Sequence, residues 1–177
     1  PKESTPEGVA GSCSERTGKV QPYEIPWGDE TLFGSVYTPP CYMESDLSFP
    51  TLYLLHGSTE TDQQWVDLGL IEAADKLIRR GEIDPLLIVL PREDTWVKMA
   101  ENYFADHLVQ AVIPWIETEY RTLSERDYRA VGGISRGGNW AIRLGLLNWE
   151  TFGSLGAHSA PLFYRDIFRV PAWLEKI

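Results

Sequence analysis

YRAVGGISRGGNW, residues 128–140, is the stretch on which the fold turns. It opens as a short apolar run and closes as the start of a helical pattern, with Gly133-Ile134-Ser135-Arg136-Gly137 at the join. A G-x-S-x-G sequence between a strand and a helix describes a sharp turn that leaves the serine hydroxyl exposed. Side chains two residues to either side of that serine would collide, so Gly133 and Gly137 answer a steric demand. The same turn sets the Arg136 N–H at a helix start, where it can face a developing oxyanion with the helix dipole behind it. Ser135 therefore reads as a nucleophile.

Outward from this turn, TLYLLH at 51–56 and LLIVL at 86–90 are continuous apolar runs, as expected of strands buried on both faces. Between them Leu70, Ala73, Ala74, Leu77 and Ile78 fall at helical spacing, and Gly81 ends the pattern. A longer helix is predicted over 101–120, with Pro114 inside it as a kink or break. Residues 152–160 hold one more strand and 166–177 a helix. Near the N-terminus, strands at 20–27 and 31–38 flank the turn Gly28-Asp29-Glu30, and Pro39-Pro40 stops the second. This alternation predicts an α/β fold: a mostly parallel sheet with helices on both faces and an antiparallel N-terminal edge hairpin. One domain over 20–177 is expected, preceded by a polar arm over 1–19.

Composition narrows the function. The 177 residues carry 16 basic and 26 acidic side chains, a net charge of −10. That balance argues against nucleic acid and against an anionic membrane surface, and it fits a small neutral partner. No apolar run reaches the length of a membrane span, and residues 1–19 lack the apolar core of a signal peptide. Cys13 and Cys41 flank the first hairpin, so a disulfide can tie down the arm; that pairing favours a secreted or extracytoplasmic setting. No His or Cys joins the loop carboxylates at ligand spacing, and no glycine-rich phosphate loop is present, so neither metal nor cofactor is expected.

A second chemical signal is Leu55-His56-Gly57-Ser58, at the end of a buried strand. A nucleophile on such a turn needs a second N–H donor from this loop, and Ser58 is placed to give it. His56 reads as a structural histidine shaping the loop; as a base it would have to reach Ser135 from the far end of the sheet. Trp65 and Trp96 follow strands, where a pocket forms, and suit stacking on an aromatic or sugar group. Glu60, Asp62, Glu93 and Asp94 read as solvated rim charges, His107 as a surface residue, and Trp115 and Trp140 as core.

The blocks YLLHGSTETDQQW (53–65), LIVLP (87–91), ENYFADHLVQAVIPWIETEYRT (101–122) and RAVGGISRGGNWAIRLGLLNWETFGSLGAHSA (129–160) resemble, in this order, the α/β-hydrolase fold and its putative-esterase group. That group holds esterase D, enterochelin-esterase-like and feruloyl-esterase-like proteins and the mycolyltransferases. The resemblance implies Ser135 as nucleophile, the N–H groups of Ser58 and Arg136 as oxyanion hole, and Trp65 as the aromatic closing the His-Gly loop. It sets His158 among the residues of the pocket floor, apart from the family's catalytic histidine. The implied activity is serine carboxylic-ester hydrolysis of a small-molecule ester through an acyl-enzyme. Transfer to another alcohol and a non-catalytic binding form of the fold are the alternatives.

One departure stands out. In this fold the acid and then the histidine follow the serine, each after a further strand. Beyond residue 160 neither pattern occurs; His158 and Asp166 are the downstream candidates, and a Ser135–His158–Asp166 triad is disfavoured. The base, the acid and the last strands are expected from a complementary C-terminal segment or a second chain.

Overall fold

The computed structural model describes residues 17–99, 102–161 and 164–177. The N-terminal hairpin pairs β1 (Lys19–Trp27) with β2 (Glu30–Thr38), turning at Gly28 with φ +60°. Then come β3 (Thr51–Leu55), α1 (Gln64–Asp67), α2 (Leu70–Arg79) and β4 (Leu87–Pro91). A long helix follows as α3 (Phe104–His107), a π turn (Leu108–Val112) and α4 (Ile113–Glu119). The chain closes with β5 (Arg129–Ile134), α5 (Arg136–Leu147), β6 (Ser154–His158), α6 (Tyr164–Ile167) and α7 (Val170–Leu174).

The six strands form one sheet in the order β1-β2-β4-β3-β5-β6. β2 runs antiparallel to β4, while β3 is parallel to both β4 and β5, and β5 to β6. This is the expected mostly parallel sheet with an antiparallel edge hairpin. Side-chain alternation splits its central strands between two cores. Val36, Val89, Tyr53 and Val131 face α3, α4 and α5, packing with Leu108, Ile116, Trp140 and Leu144. Tyr37, Ile88 and Leu90 face the other way, onto Ala74, Ile71 and Ile78 of α2. Both faces of β4 are thereby covered, which is why its sequence is apolar without a break.

Buried polar groups lock these layers. Asp75 of α2 accepts from the Tyr37 hydroxyl at 2.7 Å and the Gly18 N–H at 2.9 Å, which fixes the start of the hairpin. Arg129 donates to the carbonyls of Ser124 and Thr151, each at 2.6 Å, and pairs with Glu117 of α4. Cys41 is disulfide-bonded; Cys13, the sequence's other cysteine, lies outside the described residues.

Three elements differ from expectation. Pro114 does not break its helix: the π turn just before it shifts the hydrogen-bond register, and the helix continues. The last strand begins at Ser154 rather than 152, since Phe152 is drawn into the core against Tyr53. Residues 166–177 are not one helix: they hold the end of α6 and the whole of α7, which Pro171 opens. No helix among the described residues is long and apolar enough to cross a membrane.

β6 is the exposed edge. All five of its residues are exposed, and among the described strands only β5 pairs with it. Leu155 rests on Gly145 of α5 yet remains half exposed.

Candidate active site

Ser135 sits between β5 and α5 with φ +54° and ψ −117°, a conformation that side chains rarely adopt. Its surroundings hold it there. The Ser135 N–H donates to the His158 carbonyl at 2.9 Å, and its own carbonyl accepts from Asn139 at 3.0 Å. A Cβ at Gly133 would lie 2.5 Å from the backbone of Gly137, and one at Gly137 2.5 Å from the carbonyl oxygens of Leu55 and His56. These two glycines therefore let β5, α5 and β3 close around the serine, as the steric argument from sequence required.

The His-Gly loop lies alongside. A Cβ at Gly57 would stand 3.6 Å from the Ser135 Cβ, so the loop carrying Ser58 flanks the serine. The Gly57 N–H is held by Gln64 Oε1 at 2.8 Å, and the Trp65 indole N–H donates to the Leu55 carbonyl at 3.1 Å. Trp65 thus secures the loop from α1, and its ring packs into the apolar cluster around Leu90. Ser58 follows the anchored Gly57 and is exposed. Arg136 is the first helical residue, so its N–H has no carbonyl four residues back within α5.

His56 is buried, and both ring nitrogens are engaged. Nε2 accepts from the Glu93 N–H at 2.9 Å, which leaves the proton on Nδ1 to donate to the Gly57 carbonyl at 2.9 Å. The ring therefore bridges the His-Gly loop and the loop after β4.

Glu93 corrects the sequence reading most. It is no solvated rim charge: its side chain is 2% exposed and pairs with Arg136, itself 13% exposed. Arg136 Nε reaches the two carboxylate oxygens at 2.9 and 3.0 Å, and its Nη2 reaches Oε1 at 2.6 Å. Asn102 adds a bond to Oε1 at 3.0 Å, and Arg136 Nη2 also donates to the Val97 carbonyl at 2.6 Å. One connected network thus runs from Gly57 through His56 and Glu93 to Arg136, joining the loops that flank Ser135. Among the other rim acids, Asp62 accepts from the Ser35 hydroxyl at 2.7 Å.

The downstream candidates do not assemble around the serine. His158 is exposed at the end of β6 and meets Ser135 through its backbone carbonyl. Asp166 is buried, and its carboxylate accepts from Arg143 at 2.8 Å and Asn139 at 3.3 Å. It anchors α6 to α5. His107 is partly buried rather than a plain surface residue, 3.8 Å from Glu30 across to β2. Trp140 is core as expected, and Trp115 stacks at its margin on Tyr23. Trp96 is 92% exposed, on a loop lining a groove beside the site.

The Putative esterase family profile matches residues 28–173. An esterase of Mycobacterium tuberculosis is 32% identical over 143 residues, covering 76% of this chain and 30% of that protein. An endo-1,4-beta-xylanase/feruloyl esterase of Xylanibacter ruminicola is 28% identical over 176 residues, covering 93% of this chain and 23% of that protein. Among solved structures, a ferulic acid esterase superposes with a TM-score of 0.75 at 26% identity, covering 81% of this chain and 59% of that one. The chain therefore has the α/β-hydrolase fold of esterases, and it spans less than a third of the two sequence relatives and under two thirds of the solved structure.

Proposed function

The chain belongs to the Putative esterase family, and from that premise we propose that it is a serine carboxylic-ester hydrolase acting through an acyl-enzyme on Ser135. The observation that carries this reading is the strained serine backbone, φ +54° and ψ −117°, held between two glycines that the packing requires. Such strain persists where the fold over-determines it and the site uses it.

Ser135 Oγ attacks the ester carbonyl, and its proton passes to a base. The new oxyanion accepts from the N–H groups of Ser58 and Arg136, each of which is worth about 100-fold or more in rate in such sites. Collapse expels the alcohol with a proton from the base. Water then attacks the acyl-enzyme by the same route and releases the acid.

The base and its orienting acid come from polypeptide outside these 177 residues. Two observations support this. His56 has both nitrogens committed and Asp166 is committed to Arg143, so neither serves a triad with Ser135. The exposed edge of β6 is where further strands can add to the sheet, beside Ser135. The feruloyl esterase relatives make esters of aromatic acids the first substrates to try. The disulfide at Cys41 supports a secreted or extracytoplasmic location.

The test is labelling with a fluorophosphonate, followed by peptide mapping and intact mass, on the natural full-length protein and its Ser135→Ala variant. An adduct on the peptide carrying Ser135, absent from the variant, is expected. Undiminished ester hydrolysis by Ser135→Ala would overturn the assignment.

A further inference from the structure

Glu93 is a buried charge that the mechanism above does not use. Its carboxylate is 2% exposed, and taking such a group out of water is costly. Apolar side chains of like volume would hold the loop after β4 as firmly or more so, which makes a buried ion pair a poor device for stability. What the pair does supply is direction. A guanidinium fork on a carboxylate fixes both distance and angle, whereas an apolar contact fixes neither.

That direction has two targets. The first is Arg136. Its Nε donates to the Glu93 oxygens at 2.9 and 3.0 Å and its Nη2 to Oε1 at 2.6 Å, while Asn102 holds Oε1 at 3.0 Å. Arg136 opens α5, so the clamp on its side chain fixes the residue whose N–H has no partner within the helix.

The second target is Ser58. The Glu93 N–H donates to His56 Nε2 at 2.9 Å, and His56 Nδ1 then donates to the Gly57 carbonyl at 2.9 Å. That carbonyl and the Ser58 N–H belong to one planar peptide unit. The unit is trans, so the two groups point in opposite directions. Drawing the carbonyl toward His56 turns the Ser58 N–H away from it. A peptide whose carbonyl already accepts a hydrogen bond is also the stronger donor. Gln64 Oε1 holds the Gly57 N–H at 2.8 Å, which steadies the other side of that residue.

One residue thus reaches both donors, Arg136 through its side chain and Ser58 through its backbone. We propose that Glu93 is a positioning residue for ester hydrolysis, setting the two oxyanion donors together. It touches no substrate, and its role rests on the esterase reading, in which these N–H groups receive the oxyanion. The oxyanion forms in the transition state and not in the bound ester. A misplaced donor therefore slows turnover and leaves substrate binding as it was.

The test is steady-state hydrolysis of para-nitrophenyl acetate by the natural full-length protein, with unfolding measured on the same samples. In Glu93→Gln, kcat and kcat/KM are expected to fall together by roughly 10–100-fold, with KM within about threefold of wild type. Affinity for an alkyl trifluoromethyl ketone, whose serine adduct carries the oxyanion, should fall by the same factor as kcat/KM. Two further variants separate position from stability. Glu93→Gln combined with Arg136→Met leaves no unpaired charge, so it regains stability, yet its kcat should stay low. Asp75→Asn weakens a different buried carboxylate, bonded to Tyr37 and Gly18, and should lower the unfolding midpoint with kcat unchanged. The proposal is overturned if Glu93→Gln keeps the wild-type kcat, if its loss lies in KM alone, or if kcat returns with stability in the double variant. Hydrolysis that survives Ser135→Ala overturns the esterase reading and this one with it. Hydrolysis lost in Ser135→Ala but kept in Glu93→Gln overturns this one alone.

Discussion

Replacing Glu93 by Gln keeps the side chain's volume and removes one charge from a nearly dry pair. The carboxylate meets Arg136 through three contacts of 2.6, 2.9 and 3.0 Å, with 2% and 13% of the two side chains exposed. At roughly 4 Å between charge centres and an effective dielectric near 20, the attraction is about 4 kcal/mol. Breaking a buried pair by removing one partner costs about 3–5 kcal/mol. The amide oxygen can still accept from Asn102 and from one guanidinium N–H, so a loss of about 2–4 kcal/mol is expected for Glu93→Gln. The measurement is urea unfolding of wild type, Glu93→Gln, Arg136→Met and the double variant, as a cycle. The double variant should lose less than the sum of the singles by more than about 1 kcal/mol, since it leaves no unpaired charge. Ser135 labelling by the fluorophosphonate should slow in Glu93→Gln, because the Arg136 backbone loses its anchor. A Glu93→Gln midpoint equal to wild type, or strict additivity in the cycle, would refute the clamp.

Three further outcomes are expected. Gly137→Ala forces its new methyl off two carbonyl oxygens 2.5 Å away, and a displacement approaching 1 Å at a catalytic group costs about 100-fold; labelling of Ser135 measures it, and a rate within threefold of wild type would contradict the steric account. Tyr23 is buried with no hydrogen-bond partner for its hydroxyl, so Tyr23→Phe should change stability by less than about 0.5 kcal/mol or raise it, as read by thermal unfolding. Burial holds the Tyr23 phenol well above its ordinary range, and burial followed by the Asp75 hydrogen bond and charge does so for Tyr37. Both keep their protons more tightly folded than unfolded, so the stability they contribute is complete below about pH 10 and is lost as pH rises beyond it. Unfolding midpoints measured from pH 8 to 11.5 should fall only above that point, and phenolate absorbance of these two rings should appear only with unfolding.

The sheet was legible because each central strand is an unbroken apolar run, and the turn at Ser135 because two glycines at fixed offsets have a steric meaning. The role of Glu93 was not legible. Its burial depends on Arg136, 43 residues away, and the residue alone looks like any loop carboxylate. Its one sequence signal was an arginine directly after the serine, a long donor at the mouth of a site. Pro114 was visible as a disturbance, but the choice between a break and a π turn is made by Leu108, Val112 and Ile116, which must all reach the core. The end of the chain misled because apolar spacing over 166–177 is compatible with one helix, whereas Asp166 is pinned to Arg143 and Pro171 starts a new one.

The hydrogen bond from Ser135 N–H to the His158 carbonyl has a dynamic consequence. Val131, Gly132 and Gly133 of β5 are buried, but the serine's own amide is bonded to the most exposed strand of the sheet. Fraying of β6 releases that amide and removes one of the constraints that keep φ positive. While β6 is the edge of the sheet, the geometry of the serine therefore has the local opening free energy of that strand, not that of the core; strands added beyond β6 would raise it. In native-state hydrogen exchange the Ser135 amide should keep pace with the amides of β6 and run ahead of Val131, only a few residues away along the same chain.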